Sequence, residues 1–305
     1  MAQFYQCDNF NFNDFDLIVK DGWLYAMYVK KVPYPKDDID SKQPNRYGLA
    51  KSKDGTHWEE VGDIIMPNEK GWDQSLWAGS ISKQGDKYVI YYTGVLQKGR
   101  QSTCKIGKAY STDMVHWEKD HQNPVLIFDP QNPYYSDEPK LAFRDPFFIE
   151  NNGKNYILFC AKDKKQPSGK QGCIGVVEEI APNQFKWLPP LFSSGKYPDG
   201  LECPALYFIK DKWYIIYGLD SENASVHHMR YAVSENFFGP FEELEENKLL
   251  PEGHHYIGRI VNFKDTLLYY SWFRDVVKGT IRERLSSPKE IKIVNNREIT
   301  LIDIT

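Results

Sequence analysis

The chain lacks any long apolar run. No stretch approaches the roughly 20 residues that cross a bilayer as a helix, so a membrane is not an expected partner. It also lacks an excess of basic residues. The 38 Lys and Arg stand against 42 Asp and Glu, and no basic stripe offers phosphates a landing surface, so nucleic acid is not an expected partner either. Cysteine is scarce and unpaired in pattern. Cys7, Cys104, Cys160, Cys173 and Cys203 are scattered and form no CxxC, which argues against a disulfide framework and for free thiols in a reducing, cytoplasmic compartment. The opening MAQFYQCDNF has neither the basic start nor the apolar core of a signal peptide. A secreted chain whose leader had been removed would read the same way. Helical periodicity is almost absent: few apolar stripes at i, i+3 and i+4 survive a count.

What the chain has in quantity is aromatic side chains: 20 Tyr, 17 Phe and 8 Trp in 305 residues. Such residues suit pleated sheets and flat apolar ligand faces. They also recur. A turn of Gly, Asp or Lys followed by an aromatic-rich apolar run appears five times, as KDGWLYAMYV (20–29), GDKYVIYYTG (85–94), GKNYILFCA (153–161), KDKWYIIYG (210–218) and KDTLLYYSW (264–272). Each copy is preceded by a second short apolar run, so each pair predicts a hairpin. Further runs follow in most copies, as in YGLAKSKDGTHWEEV (47–61) and IGKAYSTDMVHWEKD (106–120). Anchored at Asp14, Trp77, Asp145, Glu202 and Tyr256, the units are spaced 63, 68, 57 and 54 residues apart. Four short strands per unit and five units predict an all-β, five-bladed β-propeller of four antiparallel strands per blade, occupying residues 1–305 as one domain. A two-sheet sandwich would not explain five phased copies.

In a propeller the innermost strand of each blade lines the central channel. Asp14, Asp145 and Glu202 all stand at the start of that strand, in NDFDLI, RDPFFI and ECPALY. Asp14 and Asp145 match in phase, each followed four residues later by Ile. A lone Asp at a strand start is usually a turn or cap residue. Three at one phase of three repeats predict carboxylates converging on one cavity. Paired carboxylates are the machinery of glycoside hydrolysis, one kept ionised and one kept protonated by their surroundings. A third, gripped by a neighbouring arginine such as Arg144, can bind hydroxyls and hold charge near the forming oxocarbenium ion.

FRDP (143–146), ECP (202–204) and the Asn13–Asp14 pair resemble the three signature blocks of glycoside hydrolase family 32, the invertases and fructanases. WAGS (77–80) and YTG (92–94) are similar to that family's second-blade blocks. The levansucrase family, 68, also carries RDP. Family 43, the arabinanases and xylosidases, shares the fold and the three acid positions, and GHHY (253–256) is similar to its last-blade block. The resemblance implies a β-fructofuranosidase-like hydrolase acting with retention on an oligo- or polysaccharide. Asp14 would be the nucleophile, Glu202 the acid/base and Asp145 the transition-state stabiliser, with Arg144 orienting Asp145. It implies no cofactor. Two alternatives stay open: a family 43-like inverting arabinofuranosidase or xylosidase, and a carbohydrate-binding propeller that does not cleave. The block after Asn13–Asp14 departs from family 32, reading Phe15, Asp16, Leu17 where Pro-Asn-Gly is usual, and the family's C-terminal β-sandwich is not expected here.

Further substrate contacts are expected from Asn13, Trp72, Asp73, Trp77, Ser80 and His255. Trp72 or Trp77 would stack on a sugar ring or pack at the rim. His254 and His255 would line the channel, where some family 43 members hold calcium, or serve as hydrogen-bonded structural residues. No His pair has zinc-ligand spacing, so no catalytic metal is expected. The segment 30–45 reads as a lid or a surface insertion. Asp16 is the alternative first carboxylate, and strand alternation would point it to the other face.

Overall fold

The computed structural model describes residues 5, 7, 9–33, 44–96, 102–138, 142–197, 200–220, 227–249 and 255–304. No helix occurs among them. The strands form five antiparallel sheets in a ring, a five-bladed β-propeller. Blade one is Asn11–Lys20, Trp23–Lys31, Arg46–Ser52 and Trp58–Ile65, from the axis outward. Blade two is Ser75–Gln84, Lys87–Leu96, Thr103–Ser111 and Glu118–Lys119. Blade three is Arg144–Asn151, Lys154–Asp163, Gly172–Ala181 and Gln184–Trp187, with the short strands Tyr135–Ser136 and Phe192–Ser193 added beside it. Blade four is Glu202–Ile209, Lys212–Asp220, His227–Ser234 and Glu242–Lys248. Blade five is His255–Phe263, Thr266–Val277, Lys289–Val294 and Glu298–Asp303.

Each expected hairpin closes on a two-residue turn. In four of the five, both turn residues have positive φ: Asp21–Gly22, Asn152–Gly153, Lys210–Asp211 and Lys264–Asp265. That geometry matches the twist of paired strands. The inner strands pack side by side around the ring, and the last meets the first. Apolar side chains from adjacent blades fill the wedges between sheets, with Tyr28, Tyr47, Tyr91, Tyr214, Tyr269 and Trp272 among the largest fully buried. Gly79 shows how tight these wedges are. A Cβ there would lie 2.5 Å from the Tyr47 hydroxyl of blade one and 2.3 Å from the Tyr91 carbonyl.

Two departures from a uniform four-strand blade bear on function. The second strand of blade five overruns its neighbours, and its outer half turns back at Lys278–Gly279 into an extra strand, Thr280–Leu285. This hairpin crosses to blade one, where Asn11 Nδ2 donates to the Ile281 carbonyl at 3.2 Å. Tyr5 and Leu285 exchange two backbone hydrogen bonds. The chain's first described residues therefore fasten the ring to its last blade.

The second departure is a β-bulge at the same point of all five inner strands. Register shifts fall between Asn13 and Phe15, Trp77 and Gly79, Arg144 and Phe147, Glu202 and Ala205, and Tyr256 and Gly258. A bulge inserts one residue and breaks the alternation of faces. Asp145, Cys203 and Ile257 sit in these bulges with positive φ, at 61°, 46° and 49°. For β-branched Ile257 this is a costly conformation.

Candidate active site

The bulges place the site. Asn13, Trp77, Arg144, Glu202 and Tyr256 each form the last regular cross-strand pair before the shift, one per blade, and all five line one cavity at the mouth of the channel. The residue after it also faces the cavity in three blades, as Asp14, Asp145 and Cys203. Without the bulge, consecutive side chains would point to opposite faces. The three expected carboxylates are therefore brought together, with one correction. Glu202 is in phase with Arg144 and Asn13, one position ahead of Asp14 and Asp145.

The cavity is about 220 Å³ and is completed by Val29, Lys31, Trp272 and Arg274. That is smaller than the roughly 300–1,000 Å³ of pockets for drug-sized ligands and is on the scale of one sugar ring. Its acids, Asp14, Asp145 and Glu202, are balanced by Lys31, Arg144 and Arg274.

Arg144 explains the RDP block. Its Nη2 donates to Glu202 Oε1, and its Nε lies 3.5 Å from Asp145 Oδ2, so one guanidinium bridges two carboxylates from adjacent blades. Tyr256 donates its hydroxyl to Glu202 Oε2. The Tyr256 ring fits because Gly218, paired with Glu202, has no side chain: a Cβ there would lie 2.7 Å from that ring. Asp145 is nine-tenths buried, its Oδ2 accepts the Cys203 amide at 3.0 Å, and its own amide donates to Thr93 Oγ1 at 2.8 Å. Thr93 in turn donates to the Ala78 carbonyl at 2.9 Å. The YTG and WAGS blocks thus hold the Asp145 bulge in its left-handed conformation. Asp14 accepts the Trp272 indole N–H at 3.1 Å, and Trp272 meets Tyr256 edge-to-face at 5.5 Å.

Burial shifts these acids. Loss of water pushes the Asp145 carboxyl up to about 6; Arg144 pulls it back, while Glu202 and Asp14 push it further. Asp14 is also raised, by burial first, with Lys31 and the Trp272 hydrogen bond opposing. Arg144 is held firmly protonated: burial works against its charge, but the anionic groups around it prevail.

Asp16 turns away from the cavity. Its Oδ2 accepts the Ile81 amide at 2.9 Å, and its Oδ1 lies 3.4 Å from Arg259 Nε. Arg259, 2% exposed, also donates to the Cys203 and Gly258 carbonyls at 3.0 Å. This buried pair ties the inner strands of blades one, two, four and five below the site. No cluster of three or more His, Cys, Asp or Glu disposed to hold a metal occurs among the described residues. All five cysteines are buried and free.

Trp72, Asp73, Ser80 and His255 do not line the cavity. Trp72 stacks on Tyr92 at 5.9 Å. Asp73 is held by Lys119 at 2.5 Å and Tyr92 at 3.2 Å, because residues 68–73 fold back over blade two through the Asn68–Asp73 backbone bond. Ser80 Oγ accepts the Phe148 amide at 3.0 Å and so joins blades two and three. His255 pairs with Ser271 Oγ at 2.9 Å and lies against Phe273. His254 and most of segment 30–45 (34–43) lie outside the described residues. Sequence reasoning missed Tyr256, Trp272, Lys31 and Arg274 as cavity residues. Tyr256 was visible as the anchor of the fifth repeat, and Trp272 as the last residue of its aromatic run.

A five-bladed propeller whose channel mouth carries three carboxylates and a bridging arginine defines a class: the propeller glycoside hydrolases. Residues 5–299 match the model of the glycosyl hydrolases family 32 N-terminal domain, so the chain belongs to glycoside hydrolase family 32. It is similar to levansucrase LscB of Pseudomonas savastanoi pv. glycinea, 24% identical, with 78% of this chain and 67% of that one covered. Its fold is that of the GH32 β-fructofuranosidase BmSUC1 of Bombyx mori, with a TM-score of 0.76 at 19% identity over 100% of this chain and 65% of that one. A thermostable family-43 glycoside hydrolase also shares the fold, with a TM-score of 0.72 at 17% identity over 97% of this chain and 94% of that one. The chain thus spans about two thirds of the length of LscB and of BmSUC1.

Proposed function

We propose that this protein cleaves the glycosidic bond of a β-fructofuranoside with retention of configuration. The observation that carries this reading is the convergence of Asp14, Asp145, Glu202 and Arg144 on one small cavity. Family 32 membership supports the assignment of roles. Glu202 protonates the glycosidic oxygen as the bond to the anomeric carbon breaks, and the aglycone leaves as an alcohol. Asp14 attacks that carbon from the opposite face and forms a fructosyl ester. Glu202, now a carboxylate, takes a proton from water as the water displaces Asp14. Asp145, fixed by Arg144 and the Cys203 amide, faces the positive charge that builds on the sugar ring and accepts from its hydroxyls.

The test is a panel of sucrose, short fructans and nitrophenyl glycosides run with the wild type, Asp14→Asn and Glu202→Gln. The expected result is fructose release by the wild type, first as the β-anomer in proton NMR, and loss in both variants. Release of arabinose or xylose with inversion would replace this reading with the family 43-like one. Sugar binding without cleavage of any substrate would leave a carbohydrate-binding propeller.

The levansucrase relative favours a second reading, in which a sugar hydroxyl replaces water and the fructosyl group is transferred. Glucose released from sucrose without an equal amount of fructose would identify it.

A further inference from the structure

One buried carboxylate beside the cavity has no part in the chemistry above. Glu283 lies on Thr280–Leu285, the strand that blade five adds beyond the repeat, and it is fully buried. Its Oε1 accepts from Arg274 Nε at 3.0 Å and Nη2 at 2.8 Å. Its Oε2 accepts from Asn13 Nδ2 at 2.9 Å, and its backbone amide donates to Asn11 Oδ1 at 3.3 Å. Asn13 and Arg274 both line the cavity, and Glu283 stands behind them.

We propose that Glu283 is a positioning residue that fixes Asn13 as an obligatory hydrogen-bond acceptor for a hydroxyl of the bound sugar. An ionised carboxylate can only accept, and Arg274 keeps this one supplied with positive charge. The Asn13 amide must therefore present its NH2 to Glu283. The flipped amide would set oxygen against oxygen, so chemistry rather than packing selects the orientation. The Asn13 carbonyl oxygen is then left buried, 1% exposed as a residue, with no hydrogen-bond partner in the described structure. Such an atom is costly until a donor reaches it. A sugar hydroxyl entering the cavity supplies that donor. A deoxy sugar cannot, and a site built for a hydrogen bond rejects the analogue that lacks it far more strongly than an apolar pocket does.

The inference rests on the fructoside reading for its substrate, and the experiment separates the two. Wild type and Glu283→Gln are compared by kcat/KM on the hydrolysed fructoside and on its single-deoxy analogues, scanned around the ring. In the wild type, one analogue falls by about 100-fold or more. The glutamine introduced by Glu283→Gln keeps its carbonyl oxygen on Arg274 and so turns its NH2 to Asn13, whose amide flips to accept it and no longer presents its oxygen to the sugar. The variant then loses about 10- to 100-fold on the parent sugar and little on that one analogue. A purely structural Glu283 gives the same fold-loss on every sugar, and that result overturns the proposal. Should Glu283→Gln fail to fold, the double variant Asn13→Asp/Glu283→Gln restores donor facing acceptor with the groups exchanged. Recovered folding with the wild-type rejection of the same analogue supports the proposal, and recovered folding without that rejection overturns it. If the wild type hydrolyses no fructoside, the proposed function falls. The same comparison is then read from calorimetric Kd values for fructose and its deoxy analogues, with the same two outcomes.

Discussion

Asp145→Asn should make the protein more stable at neutral pH while disabling the site, and the gain should vanish in acid. The Asp145 carboxyl titrates in the folded protein at about 6, above its ordinary value of 3.8, chiefly because it is buried. Between those two values the folded chain holds a proton that the unfolded chain releases. Stability therefore falls as pH rises through this window, and above pH 6 the full cost is present. At about 1.4 kcal/mol per pH unit, that cost is about 3 kcal/mol. Asparagine is nearly isosteric, and its carbonyl can still accept the Cys203 amide, but it carries no charge to bury. The lost attraction between the carboxylate and Arg144 is already contained in that cost, because it is part of what sets the carboxyl at about 6. What remains, the exchange of a neutral carboxyl for a neutral amide, is the same at both pH values and cancels when the stability change at pH 7.5 is compared with the change at pH 4. Urea unfolding of wild type and variant at both pH values should give a change more favourable at pH 7.5 by about 3 kcal/mol. A change that is the same at both pH values would refute the reasoning, because the carboxyl would then ionise without penalty.

Two further substitutions probe blade five. Trp272→Phe keeps an aromatic ring against Tyr256 but removes the indole donor to Asp14. A hydrogen bond to a charged group contributes about 1.5–3 kcal/mol, so the Asp14 carboxyl should rise further and the acid limb of kcat/KM should move up by about one to two pH units; an unmoved limb in the pH profile would show that the indole does not hold the carboxylate. Gly218→Ala would set a Cβ 2.7 Å from the Tyr256 ring. It should cost about 1–3 kcal/mol in chemical unfolding and lower kcat more than it changes KM, since Tyr256 would be displaced from Glu202.

The repeat, the hairpins and the five-blade count were legible because each depends on local pattern: a turn residue, then alternating aromatics. Asp14 and Asp145 were placed for the same reason. The offset of Glu202 could be read from the proline that RDP and ECP share, Pro146 and Pro204, which sets Glu202 level with Arg144; alternation could not show that a bulge turns two consecutive residues to the cavity. Ser80 and His255 were misplaced by a related problem. They lie close in sequence to the cavity residues Trp77 and Tyr256, but Ser80 stands past the shift, where the resumed alternation turns it to blade three, and His255 stands before the shift, where alternation sets it opposite Tyr256. Trp72 and Asp73 were drawn away by a loop that folds back on Tyr92, a tertiary choice with no periodic signature. Lys31, Arg274 and Glu283 come from strand ends and from a hairpin with no counterpart in the other blades, so no repeat pointed to them. The Arg144–Glu202 contact joins two blocks 58 residues apart and becomes visible only when blades three and four stand side by side.

In the proposed reaction Asp14 is the residue that bonds to the sugar. Glu202→Gln treated with β-fructosyl fluoride, whose leaving group needs no acid, should accumulate the fructosyl ester because water is no longer activated. Peptide mass spectrometry should find one anhydrofructosyl unit on the fragment containing Asp14, absent from Asp14→Asn/Glu202→Gln. A label on another residue, or turnover of the fluoride with inversion and no label, would contradict the account.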